Sequence, residues 1–234
     1  MLVTPSAQKA PTSLRQSLLL VMVSGCLLMG FMAGTTCPLL TDYFLELGAT
    51  ERHFGLLTGL PMIAILFQFV GALITNRVRN RKTKFLCLHG VGRLLFLGVA
   101  FLPVIWIPED SNLLILALVA FITAASVFSH IAMPLWFSWM ADLIPRRILN
   151  RYWGVRQRAM SITWAMAFLA IAGLTYFVEW PTQASFRLVL VLAVAAGIMD
   201  AALFIWIREP EHEQVRGRSV WKILAEPFRQ SMYR

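Results

Sequence analysis

Charged side chains are scarce in this sequence: Asp, Glu, Lys and Arg make up 14% of 234 residues, against 58% hydrophobic residues. A soluble chain of this size cannot enclose so much apolar volume in one core, which excludes a water-soluble globular domain. Acidic residues are the scarcest charge, 12 against 21 basic ones, for a formal net charge of +9. Such a balance can signal nucleic-acid binding, but the cations fall in separate clusters with no basic fold module between them, so nucleic acid is no expected partner. Cysteine is limited to Cys26, Cys37 and Cys87. All three lie in apolar runs, and without a Cys-x-x-Cys or Cys/His spacing they read as packing residues, with no disulfide or zinc site. The chain also lacks His-Glu-x-x-His and the Gly-rich Lys-Ser/Thr phosphate loop, which argues against zinc hydrolysis and a nucleotide-driven pump. Ser126 and His130, at i, i+4, form the one local Ser/His pair available for intramembrane catalysis, and chance supplies that spacing often. No enzyme, cofactor or metal is therefore expected. Low-complexity segments, a soluble domain and long linkers are absent as well.

What the sequence has instead is six apolar runs of bilayer-crossing length, at 18–40, 54–74, 85–107, 113–140, 159–178 and 186–207. The first is too long for a signal peptide and has no convincing cleavage site. Of the 21 Lys and Arg residues, 18 fall in the amino-terminal tail, the 75–84 and 141–158 loops and the carboxy-terminal tail. The opposite loops hold only Arg52 and Arg187, while Arg93 lies inside a run. Cationic loops are retained in the cytoplasm, so the expectation is a multi-pass protein of the plasma (inner) membrane with both termini inside. The organisation expected is a cytoplasmic tail over 1–17, an all-α six-helix membrane bundle over 18–207 and a cytoplasmic amphipathic tail over 208–234.

Small residues four apart let membrane helices approach closely, and Gly30/Gly34 and Gly55/Gly59 have that spacing. Trp106 and Trp180 at one interface and Trp139, Trp153 and Trp206 at the other read as aromatic belt anchors. Pro38 is expected to end the first helix, Pro61 to lie in the early turns of the second and Pro134 to interrupt the fourth.

Two segments carry a family resemblance. Gly71, Ala72, Leu73, Ile74, Thr75, Asn76, Arg77, Val78, Arg79, Asn80, Arg81, Lys82 resembles the loop between helices two and three of the major facilitator superfamily. Its pattern is a glycine, an aspartate and a short basic run. Asn76 stands where the family has aspartate, one residue further from the glycine, and Arg79 replaces the turn glycine. The more specific match runs from Pro134 through Asp142, Leu143, Ile144, Pro145 to Asn150, Arg151, Tyr152, Trp153, Gly154, Val155, Arg156. It is similar to the Asp-x-x-Pro, then Arg-aromatic-Gly-x-Arg loop of bacterial members. The arginine and Gly-Pro hallmarks of drug/proton antiporters are missing from the fourth and fifth helices, which favours a solute permease.

The resemblance implies a three-plus-three inverted repeat, although no internal repeat is visible in the sequence, and a cytoplasmic latch involving Asn76, Arg77, Arg81, Asp142, Arg151 and Arg156. It also implies that the first, second, fourth and fifth helices border the central cavity. That makes Gln68, His130 and Trp164 the substrate candidates, since amide, imidazole and indole can hydrogen-bond and stack on a polar solute. An equally open reading gives Gln68 and His130 an interhelical hydrogen bond and Trp164 a lipid contact. Arg93 and Asp200 are charges inside spans, each roughly 11 to 13 Å from the cytoplasmic helix end at 1.5 Å per residue. They are expected to meet as a structural ion pair or to couple protons. His89, one turn before Arg93, reads as a polar neighbour, and Ser126, Ser129, Thr35 and Thr36 as donors to preceding carbonyls.

The function expected is secondary active transport of a small polar solute by alternating access, with a coupled proton or cation. Superfamily members have twelve helices in two halves, so this chain is expected to act as the amino-terminal half, partnered by the bilayer and by a second half or a second copy of itself. The alternative is a non-transporting membrane fragment or assembly partner.

Overall fold

Hydrocarbon leaves no water to satisfy backbone N–H and C=O groups, so a long apolar run in a bilayer closes its own hydrogen bonds as a helix. Six helical spans are long and apolar enough to cross: Leu14–Glu46, Glu51–Thr75, Arg81–Ile105, Ser111–Leu143, Leu149–Phe177 and Thr182–Leu203. The computed structural model describes residues 13–78, 80–177 and 180–210, and no strand occurs among them. The chain is a multi-pass membrane protein. Most of the 1–17 tail, the Asn76 side chain, Arg79, Val178 and the tail beyond residue 210 lie outside the described residues.

The first span has two pieces. α1 (Leu14–Thr36) starts from a capping box in which Ser13 Oγ accepts the Gln16 N–H at 3.3 Å and Gln16 Oε1 accepts the Ser13 N–H at 3.0 Å. It stops because the residue before a proline avoids helical backbone, and Cys37 is extended, at φ −70° and ψ 158°. Pro38 then occupies the first position of α2 (Pro38–Glu46), where its missing N–H costs nothing. Pro38 thus ends α1 as expected, but the span continues through α2 to Glu46, which corrects the expected end at residue 40. In the second span, α3 (Glu51–Ile63) contains Pro61 and gives way to a 3₁₀ turn (Ala64–Phe67) before α4 (Gln68–Arg77). A proline removes one donor from the ladder, and the tightened turn follows directly.

The remaining spans are single helices: α5 (Arg81–Ile105), α6 (Ser111–Leu143), α7 (Leu149–Phe177) and α8 (Thr182–Leu203). Pro134 does not interrupt α6, contrary to expectation. Gly71 of α4 packs closely beside it. A Cβ there would collide with the Ile131 carbonyl oxygen and lie 3.0 Å from Pro134 Cδ, so the two helices touch backbone to backbone at the proline. α7 begins ten residues before the expected 159, which shortens the 141–158 loop to 144–148 and places Arg151 and Arg156 on a helix. Tyr152, Trp153 and the arginines make these first turns too polar to score as a span, yet they suit a helix end at an interface.

Adjacency explains how the bundle holds. The first span packs on the fifth and sixth, the fourth packs on the second and third, and the third meets the sixth. Exchanging every span with the one three further along leaves this pattern unchanged, as a three-plus-three repeat requires. Each principal contact also joins a span of one repeat to a span of the other, so the repeats interlock.

Two apolar clusters fill the interior. One lies toward the end away from the basic loops and includes Phe31, Phe44, Leu118, Phe186 and Leu190. The other lies at the basic end around Val21, Phe85, Leu135, Trp139 and Ile207. Trp139 is 0% exposed and donates Nε1–H to the Arg208 carbonyl at 2.9 Å, so it is a core residue and not the belt anchor expected. Trp106, Trp180 and Trp206 are exposed. Gly34 lies against Ala193 and Val189 of α8, as small-residue packing predicts, whereas a Cβ at Gly55 or Gly59 would meet nothing within 4 Å. Thr35, Thr36 and Ser126 donate to Phe31, Met32 and Ile122 carbonyls at 3.0, 2.7 and 2.9 Å.

These contacts set a contrast between two glycines. Gly71→Leu is expected to destabilise the protein by about 1–3 kcal/mol through overpacking, read as a lowered thermal midpoint in detergent, while Gly55→Ala leaves that midpoint unchanged.

Candidate functional site

Between the two apolar clusters lies a buried polar group assembled from three spans. Asp200 of α8 is 1% exposed. Its Oδ1 accepts from Ser24 Oγ of α1 at 2.6 Å, and its Oδ2 lies 2.8 Å from His89 Nε2 of α5. Arg93, one turn further along α5, places Nη2 3.7 Å from the same Oδ2 and stacks its guanidinium 3.9 Å from the Phe31 ring centroid. Gly197, one turn before Asp200, makes room for this: a Cβ there would lie 2.9 Å from Arg93 Cδ and 2.8 Å from Phe31 Cδ2. Arg93 and Asp200 therefore meet, but the carboxylate makes its shorter contacts with His89 and Ser24.

Neither of those partners was legible as one. His89 read as a polar neighbour of Arg93, and the i, i+4 spacing that places both on one face of α5 was the available signal. Ser24 is separated from Asp200 by 176 positions, and nothing local distinguishes it from other membrane serines. Chemically, the carboxylate faces a hydroxyl, an imidazole and a guanidinium, groups that compensate a buried charge, while Arg93 Nε has no hydrogen-bond partner among the described residues.

Gln68 and His130 also come together. Gln68 is the first residue of α4, after the 3₁₀ turn, and its Nε2 lies 3.2 Å from His130 Nδ1 on α6. Amide and imidazole can each donate or accept, so the pair can exchange one hydrogen bond and keep a second ring nitrogen and amide atom for another partner. Trp164 does not join this pair. It is 43% exposed and packs against Phe168 of its own helix at 4.4 Å. Ser129 lies against Gly92 of α5, its Oγ 3.3 Å from a Cβ built there.

The residues assigned to a latch divide. Arg81, the first residue of α5, is fully buried, and its Nη1 donates to Asp142 Oδ2 at 2.7 Å and Ser138 Oγ at 2.8 Å, both on α6. Its Nε and Nη2 have no hydrogen-bond partner among the described residues. Arg77 closes α4 and Arg151 lies on the first turn of α7, both exposed. Arg156 is no loop residue. It is 6% exposed, donates Nε–H to the Val21 carbonyl of α1 at 3.4 Å and sits 5.2 Å from the ring centroids of both Trp136 and Trp153.

Lys82, missed by the sequence reading, donates Nζ to the Ile205 and Ile207 carbonyls at 2.7 and 2.8 Å, and its backbone N–H donates to Glu209 Oε1 at 3.1 Å. The segment after α8 is thereby held across the basic ends of α5 and α6.

Among the described residues, no three His, Cys, Asp or Glu side chains converge as metal ligands.

Removing one member of a buried charged group leaves the others uncompensated, at a cost of about 3–5 kcal/mol. Asp200→Ala is therefore expected to lower thermal stability in detergent markedly. Removing the opposing cation as well, in Asp200→Leu/Arg93→Met, is expected to restore most of the loss.

Compared with known proteins, residues 22–231 match the family model described as the Major Facilitator Superfamily. No curated protein matches the chain.

Proposed function

Because the chain belongs to the Major Facilitator Superfamily, whose members are membrane transporters, we propose that it carries a small polar solute by alternating access as one six-helix half of a twelve-helix secondary transporter. The observation that carries this reading is uneven burial. In their most apolar stretch the fifth span is 6% buried and the second 11%, while the other four are at least 33% buried. These two spans flank the first and fourth, and Gly55 and Gly59 on the second meet only open space. Small residues on an unpacked face let another helix approach closely. In this reading a second six-helix unit, from the same or another chain, covers those faces, and the solute binds between the two units.

Gln68 and His130 are the proposed recognition pair. Their mutual hydrogen bond orients the imidazole and leaves its other ring nitrogen, Nε2, to hydrogen-bond a polar group of the solute. Trp164 contributes an apolar surface from the fifth span. The Asp200 group lies on the first, third and sixth spans, away from that pair, and serves either as a structural ion pair or as the proton-coupling site. Arg81 with Asp142 is the proposed core of the latch at the basic end, with the exposed Arg77 beside it, and the positive-inside rule puts that end in the cytoplasm of the inner membrane with both termini. The low burial of the second and fifth spans is also what a non-transporting assembly partner of a separate half would present.

Uptake of labelled sugars, organic acids and amino acids into proteoliposomes, with and without a proton gradient and with and without a co-expressed second half, separates these readings. Saturable uptake of one solute class is expected, and His130→Ala or Gln68→Ala should reduce it about tenfold, the scale of one or two lost polar contacts. No uptake under any combination would leave the assembly-partner reading.

A further inference from the structure

At the basic end, an open groove of about 470 Å³ lies between α1 and the start of α7. Its walls include Leu18, Leu19 and Met22 from α1 and Val155 from α7, and Arg15 and Arg151 also line it. Both arginines lie on the first turns of their helices, and Met22 and Val155 lie about 6 to 10 Å deeper at 1.5 Å per residue. The groove therefore has two cations at its shallow end and an apolar interior. Tyr152, the polar group within it, is already engaged, with its hydroxyl donating to the Leu18 carbonyl at 2.8 Å. Arg15 and Arg151 are exposed, and neither has an ion-pair partner among the described residues.

We propose that this groove is a binding site for an anionic phospholipid, with an acyl chain along Leu18, Leu19, Met22 and Val155 and the phosphate held between Arg15 and Arg151. Three features select this occupant. The apolar walls lie within a membrane span, where a polar solute gains nothing from them. Leu19 is 49% and Val155 43% exposed, so both need an apolar partner. The two guanidiniums match a phosphate, whose oxygens accept paired N–H donors, and basic pockets between membrane helices are suited to anionic headgroups. The inference does not depend on which solute the protein carries.

The test is native mass spectrometry of the full chain released from detergent, titrated with dioleoyl-phosphatidylglycerol or dioleoyl-phosphatidylcholine. One phosphatidylglycerol per chain should be retained in preference to phosphatidylcholine. The exposed double variant Arg15→Gln/Arg151→Gln should keep its helix content by circular dichroism and lose affinity for phosphatidylglycerol about 25-fold, as expected for two basic groups. Arg146→Gln/Arg147→Gln, which alters the neighbouring turn but not the groove, should retain binding. Equal retention of both lipids, unchanged binding in the groove variant, or an equal loss in the control variant would each overturn the proposal.

Discussion

A carboxylate can stay charged in hydrocarbon only if its neighbours supply the hydrogen bonds and counter-charge that water would have supplied. Asp200 is the one buried carboxylate among the described residues, and the arrangement around it determines much else. Ser24 must come from the first span, His89 and Arg93 from the third, and Gly197 must lack a side chain so that Arg93 and Phe31 fit. An apolar cluster on each side along the helices keeps water out. The sixth span is thereby tied to two spans of the other repeat at one point.

The same cross-repeat logic recurs in three other polar contacts. Gln68 to His130 joins the second span to the fourth, Arg81 to Asp142 joins the third to the fourth, and Arg156 to Val21 joins the fifth to the first. Each links a span of the first three to a span of the last three. With polar ties and principal packing contacts both crossing the repeats, neither repeat has an independent core. A six-helix unit built this way suits movement as a single body, as the proposed rocking of one half against another would require.

The sequence made span number and the family legible because both rest on features that survive without tertiary information, namely apolar run length, alternation of basic loops and two short motifs. It misplaced boundaries where a polar helical turn continues an apolar one. The first turns of α7, with Arg151, Tyr152 and Arg156, looked like loop because their hydropathy is low, although backbone geometry does not require apolar side chains there. Proline was legible only in part: Pro38 ends α1 as read but also begins α2 in the same span, and Pro134 lies within an unbroken α6. Trp139 was assigned to a belt by its height alone, since burial depends on what Phe85 and Phe204 do on other helices. The meeting of Arg93 with Asp200 was legible from matching depth, whereas Ser24 was not, because only the crossing of α1 with α8 gives it a role.

The account stands most directly on the geometry at Asp200. Solid-state NMR in bilayers can measure the dipolar coupling between a ¹³C-labelled aspartate carboxylate and the ¹⁵N-labelled histidine ring, with Asp200→Asn and His89→Gln used to assign the signal. The account predicts a coupling that both substitutions abolish and that corresponds to a carboxylate-carbon to Nε2 separation below about 4 Å, as a direct hydrogen bond requires. A separation beyond about 6 Å, where no direct hydrogen bond can form, would contradict it.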